Sequence, residues 1–269
     1  RENLLGALAE QGLQAHPTAF SSSGIEFETR TNVFALPEFS EGLLEVQDEA
    51  SQLVAELVAP PPRGLVIDYC AGAGGKSLAL GALMRNTGRL AAVDIDQKKL
   101  AEFRRRARRA ALANARAIPL SQPDEWPPEL AAFNGKAERV LVDVPCSGVG
   151  VLRRKPEMRW RLSPEELQRL PLEQEAIARR AMALCAPGGR LIYATCTLLA
   201  DENEKVVERL QRASGFELVP PKEILGRELA GRICDASGKF MKLLPHRSGT
   251  DGFFAAVLRR KRKVLNAEC

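Results

Sequence analysis

The sequence predicts an α/β fold built on a mostly parallel sheet with helices on both faces, preceded by a small α+β appendage. Three observations carry that expectation. From Val46 onward, short apolar runs of strand length alternate with longer stretches of helical periodicity, the pattern of parallel strands joined by helical crossovers. A glycine-rich turn joins the first strong strand to its helix, where open α/β sheets bind ligands. Two later strands each run into a cysteine, Cys146 and Cys196, at the carboxyl ends where reactive groups gather in such sheets.

Taken in order, Asn3–Gln11 reads as a helix with Leu4, Leu5 and Leu8 on one side. Gly24–Thr29 and Asn32–Ala35 read as short strands. This opening starts on Arg1 rather than Met and reads as the end of something longer. It divides the chain into an appendage, 1–45, and a main domain, 46–269. Val46–Ala59 is a helix whose apolar set is Val46, Ala50, Leu53, Val54, Leu57 and Val58, and Pro60-Pro61-Pro62 stops it. Leu65–Asp68 is a strand and Gly75–Arg85 a helix; Leu90–Asp94 is a strand and Gln97–Ala113 a helix. Ala115–Leu120 is a weaker strand and Val140–Asp143 a strong one. Pro164–Ala186 is a long helix capped by Ser163. Arg190–Ala194 is a strand, Asp201–Ala213 a helix, and Phe216–Val219 and Phe253–Arg259 are late strands.

The 269 residues are 45% hydrophobic, enough for one large α/β domain with a small appendage. No apolar stretch approaches a membrane span and no signal peptide opens the chain. Six cysteines form no CxxC pair and only two histidines are present, which argues against zinc or another metal. Reduced thiols and a cytoplasmic monomer are the expectation. Cys185, on the helical pattern before Ala186-Pro187-Gly188-Gly189, reads as a buried apolar residue. The net charge of +5 is unevenly placed. Lys98, Lys99, Arg104, Arg105, Arg106, Arg108 and Arg109 crowd one helix whose other face carries Leu100, Phe103, Ala107 and Ala110. Arg153-Arg154-Lys155 and Arg259-Arg260-Lys261-Arg262-Lys263 add two more clusters. Together they favour a polyanionic partner, nucleic acid above others. Arg104, Arg105, Arg108, Arg153, Arg154 and Lys155 are the candidate contacts.

The loop Asp68-Tyr69-Cys70-Ala71-Gly72-Ala73-Gly74-Gly75-Lys76-Ser77 admits three readings. A P-loop needs glycine where Cys70 stands, and a dinucleotide fingerprint needs glycine where Ser77 stands. An acidic strand end followed by G-x-G-G suits an S-adenosylmethionine loop. The second strand ends in Asp94, a carboxylate able to accept both hydroxyls of a ribose. Lys76 is positioned to touch substrate or a carboxylate.

The two cysteines suit methylation of a pyrimidine at carbon 5. A thiolate adding to carbon 6 makes carbon 5 nucleophilic. A carboxyl beside ring N3 steadies the charge that develops. A second thiolate or a water can assist loss of the carbon 5 proton. Asp143, Cys146 and Cys196 supply these groups at the ends of two strands. An amino-group methyltransferase is expected instead to show Asn/Asp-Pro-Pro-aromatic at 143–146, which Val144 and Cys146 break.

Over nearly its whole length the chain resembles the Sun-type RNA cytosine-5 methyltransferases, above all the bacterial ribosomal-RNA branch. Val46–Gln52 is similar to the segment before that family's catalytic domain, and Asp68–Ser77 to its cofactor motif, with Gly72-Ala73 where many members have Ala-Pro. Asp143–Pro156 is similar to its motif four. Tyr193–Thr197 with Glu202-Asn203-Glu204 is similar to motif six, and Thr250–Phe254 to its closing hairpin. The resemblance implies a Rossmann-like class I S-adenosylmethionine-dependent methyltransferase with a mostly parallel seven-stranded sheet and an antiparallel late strand. The appendage is then the end of an RRM-like RNA-binding unit. It implies Cys196 as nucleophile and Cys146 as the thiol that promotes release. Asp143 would orient the cytosine near the cofactor, with Lys76 beside it. Cys70, Ala71, Gly72, Ala73, Gly74, Gly75, Lys76, Asp94 and Asp143 would bind S-adenosylmethionine. Ribosomal RNA is the expected substrate, with transfer RNA behind it. The chain departs from the family after the third strand, where Ser121, Gln122 or Asp124 stands near an expected acidic residue. A non-catalytic RNA-binding or ribosome-assembly protein would also explain the basic clusters. A DNA enzyme would use the Pro-Cys thiol, Cys146, as its nucleophile.

Overall fold

Apolar runs with little polar interruption are stable only where both faces of a sheet are covered, and five such runs form the centre of this molecule. The computed structural model describes residues 1–160, 162–212 and 215–262. The order is α1 (Glu2–Glu10), β1 (Ala15–Pro17), β2 (Ile25–Phe27), a 3-10 turn (Val33–Ala35), α2 (Pro37–Ser40), α3 (Glu49–Val58), β3 (Leu65–Tyr69), α4 (Gly75–Leu83), β4 (Arg89–Asp94), α5 (Gln97–Arg109) and β5 (Ala115–Pro119). It continues with α6 (Pro128–Ala131), β6 (Ala137–Asp143), α7 (Pro164–Leu184), β7 (Cys185–Thr195), α8 (Glu204–Arg212), β8 (Phe216–Val219), α9 (Lys222–Leu225), α10 (Arg227–Ile233), β9 (Met241–Leu243), α11 (Pro245–Ser248) and β10 (Phe253–Arg260).

The main sheet runs β5-β4-β3-β6-β7-β10-β8, with the short β9 also on β10. The first five strands are mutually parallel, and β10 lies antiparallel between β7 and β8. The seven strands expected from the resemblance thus form the continuous path, and β9 is an eighth. Sequence reading missed β9 because three residues with Lys242 in the middle carry no strand signal; β10 supplies its partner.

Side chains alternate across the sheet. Ile67, Val140, Val142, Leu191 and Tyr193 face α7 and α8 through Ala178, Ala181, Val206 and Leu210. Val66, Leu141 and Ile192 face α3 and α4 through Leu53, Val54, Leu57 and Leu80. Burial of each large side chain stabilises the sandwich by about 1.5–3 kcal/mol. Asp48 starts α3 by accepting from Ala50 N at 2.9 Å, and Ala59 ends it in the left-handed region.

Some boundaries differ from expectation. Asn32–Ala35 is a 3-10 turn rather than a strand. Leu36 before Pro37 is extended, and Phe34 packs edge-on against Phe39 instead of a neighbouring strand. The true partner of Ile25–Phe27 is Ala15–Pro17. Cys185 is buried as expected, but it opens β7 rather than continuing α7. Ala213, Lys263 and Cys269 lie outside the described residues. None of the described helices is long and apolar enough to cross a membrane.

The sheet grows in both directions from β3, first through β4 and β5, then through β6 and β7. The crevice between the carboxyl ends of β3 and β6 is therefore the switch point where ligands bind in such folds. The glycine loop, Asp94, Asp143 and Cys196 follow β3, β4, β6 and β7 at this end.

Candidate active site

The loop after β3 is held open by its neighbours. Cys70 takes the left-handed conformation, φ 74°, uncommon for a side chain with Cβ and concentrated at functional sites. Val93 O accepts from both Cys70 N and Ala71 N at 2.9 Å. Gly74 also has positive φ, and a Cβ there would lie 2.0 Å from the Phe103 ring; only glycine lets α5 approach so closely. Asp94 Oδ2 accepts from Gly72 N at 2.7 Å and Oδ1 from Asp96 N at 2.8 Å. Each oxygen keeps a lone pair for a further donor. The start of α4 adds free N–H groups beside the loop.

Beneath the loop, Ser77 donates to Asp68 Oδ2 at 2.6 Å, and Asp68 Oδ1 is buried without a partner among the described residues. Burial pushes the Asp68 carboxyl up to about 6. Burial and the carboxylates of Asp94 and Asp143 push the Cys70 thiol well up, so it stays protonated.

The two sequence-predicted thiols meet, with Cys146 Sγ and Cys196 Sγ 3.3 Å apart. Lys76 Nζ lies 2.5 Å from Asp143 Oδ2 and over the Phe253 ring at 5.0 Å. Burial pulls the Lys76 ammonium down, but the charge and hydrogen bond of Asp143 hold it above its ordinary value. The thiols are unequal. The hydrogen bond with Cys146 lowers Cys196 against the cost of burial, and Lys76 lowers it further. The same hydrogen bond, and then burial, raise Cys146 well above its ordinary value. These directions make Cys196 the thiol readier to ionise, while in the contact between them either sulfur can donate.

A buried polar frame fixes both loops. Glu202 is fully buried. Its carboxylate accepts from Ser147 N at 2.9 Å, Ser147 Oγ at 2.5 Å, Thr197 Oγ1 at 3.1 Å and Gln174 Nε2 at 2.7 Å. One carboxylate from the loop before α8 thus binds the residue after each thiol. Backbone completes the link: Gly150 N donates to Cys196 O at 2.9 Å and Gly252 N to Gly150 O at 2.8 Å. A Cβ at Gly150 would meet Gly252 O at 2.2 Å and Cys196 O at 2.7 Å.

Arg153 and Arg154, expected as RNA contacts, both pair with Asp48 and Asp251, tying the motif-four loop to α3 and the start of β10. Lys155 remains exposed beside them. On α5, Arg104, Arg105 and Arg108 are exposed, with Arg105 paired to Glu102. Arg106 and Arg109 instead turn to Glu45. Of the residues after the third strand, Ser121 donates its N–H to Glu125, which the sequence reading did not consider. Sequence reasoning also missed Glu202 as a frame, Gln174, Asp48 and Asp251; the motif segments containing Asp48, Glu202 and Asp251 were the available signal.

This sheet, with its antiparallel late strand and its loops gathered at one end, defines a Rossmann-like methyltransferase fold. The match is close to a crystal structure of a methyltransferase homologue from Pyrococcus horikoshii, with a TM-score of 0.80 at 26% identity, covering 96% of this chain and 82% of that one. A family model described as 16S rRNA methyltransferase RsmB/F matches residues 55–259, and the chain belongs to that family. It is 33% identical over 266 residues to the probable ribosomal RNA small subunit methyltransferase B of Bacillus subtilis, covering 97% of this chain and 57% of that one. It is 34% identical over 270 residues to the protein of the same name in Synechocystis, again covering 97% and 57%. The chain thus spans somewhat over half the length of these relatives.

Proposed function

We propose that the chain is the catalytic part of an S-adenosylmethionine-dependent RNA cytosine-5 methyltransferase acting on small-subunit ribosomal RNA. The observation that carries the reading is the pair of facing thiols, Cys146 and Cys196, 3.3 Å apart beyond the ends of β6 and β7, with Cys196 lowered and Cys146 raised from the ordinary thiol value. The names of the relatives supply the RNA.

The residues present fit the cofactor. The loop at Cys70–Lys76 is strained open, the N-terminus of α4 faces it, and Asp94 retains acceptor capacity. Cys70–Lys76, Asp94 and Asp143 would hold S-adenosylmethionine, which supplies an electrophilic methyl group when bound. Cys196 attacks cytosine carbon 6 as the thiolate. Asp143, held by Lys76, faces ring N3, and the ammonium balances the charge arriving on the ring. After methyl transfer, the thiolate of Cys146 or a water takes the carbon 5 proton, the bond from Cys196 to carbon 6 breaks, and Cys196 leaves as the thiolate. Cys146, 3.3 Å from Cys196, is close enough to support that release. Arg104, Arg105, Arg108 and Lys155 are the exposed cations read as RNA contacts, while Arg153 and Arg154 reach RNA only with the charge left over from Asp48 and Asp251.

Residues 1–45 are read as the end of an RRM-like RNA-binding appendage. In support, α1 and the β1–β2 hairpin stand outside the main sheet. Their loop docks on α3, where Glu49 accepts from Phe20 N and Ser21 N and Glu56 from Ser22 N. Mapping 5-methylcytosine in small-subunit RNA treated with the protein and S-adenosylmethionine tests the whole reading. New 5-methylcytosine is expected, and its absence with bound cofactor would favour a non-catalytic RNA-binding role.

A further inference from the structure

A second charged concavity lies at the far end of the sheet. A cavity of about 530 Å³ is lined by residues near the amino-terminal ends of β6 and β7 and the carboxyl end of the antiparallel β10. Six cations line it, Arg139, Arg190, Arg259, Arg260, Lys261 and Arg262, against two carboxylates, Glu217 and Glu223. Several of these already have structural work. Arg139 Nε donates to the carbonyls of Val58 and Ala59 at 3.0 and 3.1 Å, closing the end of α3. Arg259 pairs with Glu217 at 2.7 Å, and Arg260 Nη1 donates to Cys185 O at 2.6 Å. Among the described residues no hydrogen bond or close ion pair holds the guanidinium groups of Arg190 and Arg262; Glu223 acts on Arg190 through its charge alone, and Arg262 lies across the Gly188 turn.

The cations crowd one another. Burial, then Arg190, brings the Arg139 guanidinium down to about 10, and burial, then Arg259, lowers Arg190. Positive charge held together in a partly dry cavity is relieved by an anion. The planar fork of arginine matches phosphate oxygens, two at a time.

We propose that this cavity holds backbone phosphates of the RNA at the end of the sheet opposite the thiols. The proposal rests on the RNA reading above for the identity of the anion. Arg190 and Cys196 lie on one extended segment, so the two sites stand about 20 Å apart. A single strand too short to span that distance fills only one of them. The cavity therefore selects a longer or folded RNA that passes around the sheet edge, and it does so without reading bases.

The test compares the full chain with an Arg190→Gln/Arg262→Gln variant on two probes, a 16S ribosomal RNA transcript and a short cytosine-containing oligonucleotide. Loss of two phosphate contacts is expected to flatten the plot of log affinity against log salt for the transcript by about 1.4–1.8. Transcript affinity should fall about tenfold at physiological salt. The kcat and KM on the oligonucleotide should not change, and an Arg190→Lys/Arg262→Lys variant should keep the wild-type slope. Parallel salt slopes overturn the proposal, as does an equal loss on both probes. A wild-type protein that binds the transcript without methylating it counts against the catalytic reading, while the difference in slopes still decides the cavity.

Discussion

At the scale of single residues, the site is an arrangement of protons. Cys196→Ala should reduce methyl transfer to background, measured with radiolabelled cofactor and RNA. Cys146→Ala should instead accumulate a protein–RNA adduct that survives denaturing electrophoresis, because attack proceeds and release does not. The thiol order also predicts a pH effect. A lowered pKa populates the Cys196 thiolate at lower pH, so its alkylation by iodoacetamide should titrate below an ordinary thiol. Removing the Cys146 thiol, or the charge in Lys76→Met, should move that titration to higher pH; an unmoved midpoint would assign the thiolate elsewhere. The sequence alone placed both thiols at strand ends, but it could not order them. Their order depends first on the hydrogen bond formed when β6 and β7 bring the two sulfurs 3.3 Å apart, and then on the charge of Lys76, a residue 70 positions before Cys146 in the chain.

At the scale of elements, strands were legible because burial on both faces leaves unbroken apolar runs such as Val140-Leu141-Val142. What connects the loops was not legible, since Glu202 and Gln174 read as ordinary polar residues until β7, α7 and α8 bring them together. The frame has a measurable worth. Glu202→Ala strands buried donors on Ser147, Thr197 and Gln174, and should cost about 3 kcal/mol or more. That loss corresponds to a Tm lower by roughly 6–12 °C. Gly150→Ala tests the backbone link. Its Cβ would collide with two carbonyl oxygens, neither at the end of a flexible side chain. Activity should fall at least tenfold, with a stability loss of about 1–3 kcal/mol. Arg153 and Arg154 show the opposite limit of sequence reading. A run of three basic residues suggests a binding patch, yet two of them are absorbed by Asp48 and Asp251.

At the scale of the whole molecule, one buried carboxyl sets part of the pH dependence of stability. Asp68 has its pKa raised to about 6 by burial, from an ordinary value of 3.8. Between those values the unfolded chain has released a proton that the folded chain retains, so stability falls as pH rises through this window. At neutral pH the accumulated cost is about 3 kcal/mol. Asp68→Asn should therefore be more stable than wild type at pH 7 and should lose the stability slope between about pH 4 and 6. Urea denaturation at several pH values reads this directly, and a parallel pH profile for the two proteins would show that the group is not the source. The parallel sheet and its switch point were legible at this scale from the alternation of strands and helices. The basic cavity was not, because it is assembled from β6, β7 and the far end of β10.

Asp48 begins α3, yet its carboxylate also accepts from Asp251 N, 203 positions later. The catalytic end of the sheet therefore cannot close until nearly the last described strand has been inserted. Contacts of such separation come late in folding, after the cost of closing a long chain has been met. A chain still emerging during synthesis would already contain both thiols and Asp48 while lacking Asp251, the second carboxylate that holds Arg153 and Arg154. Closure of this end of the sheet thus waits for Asp251, as a timing property of translation and folding.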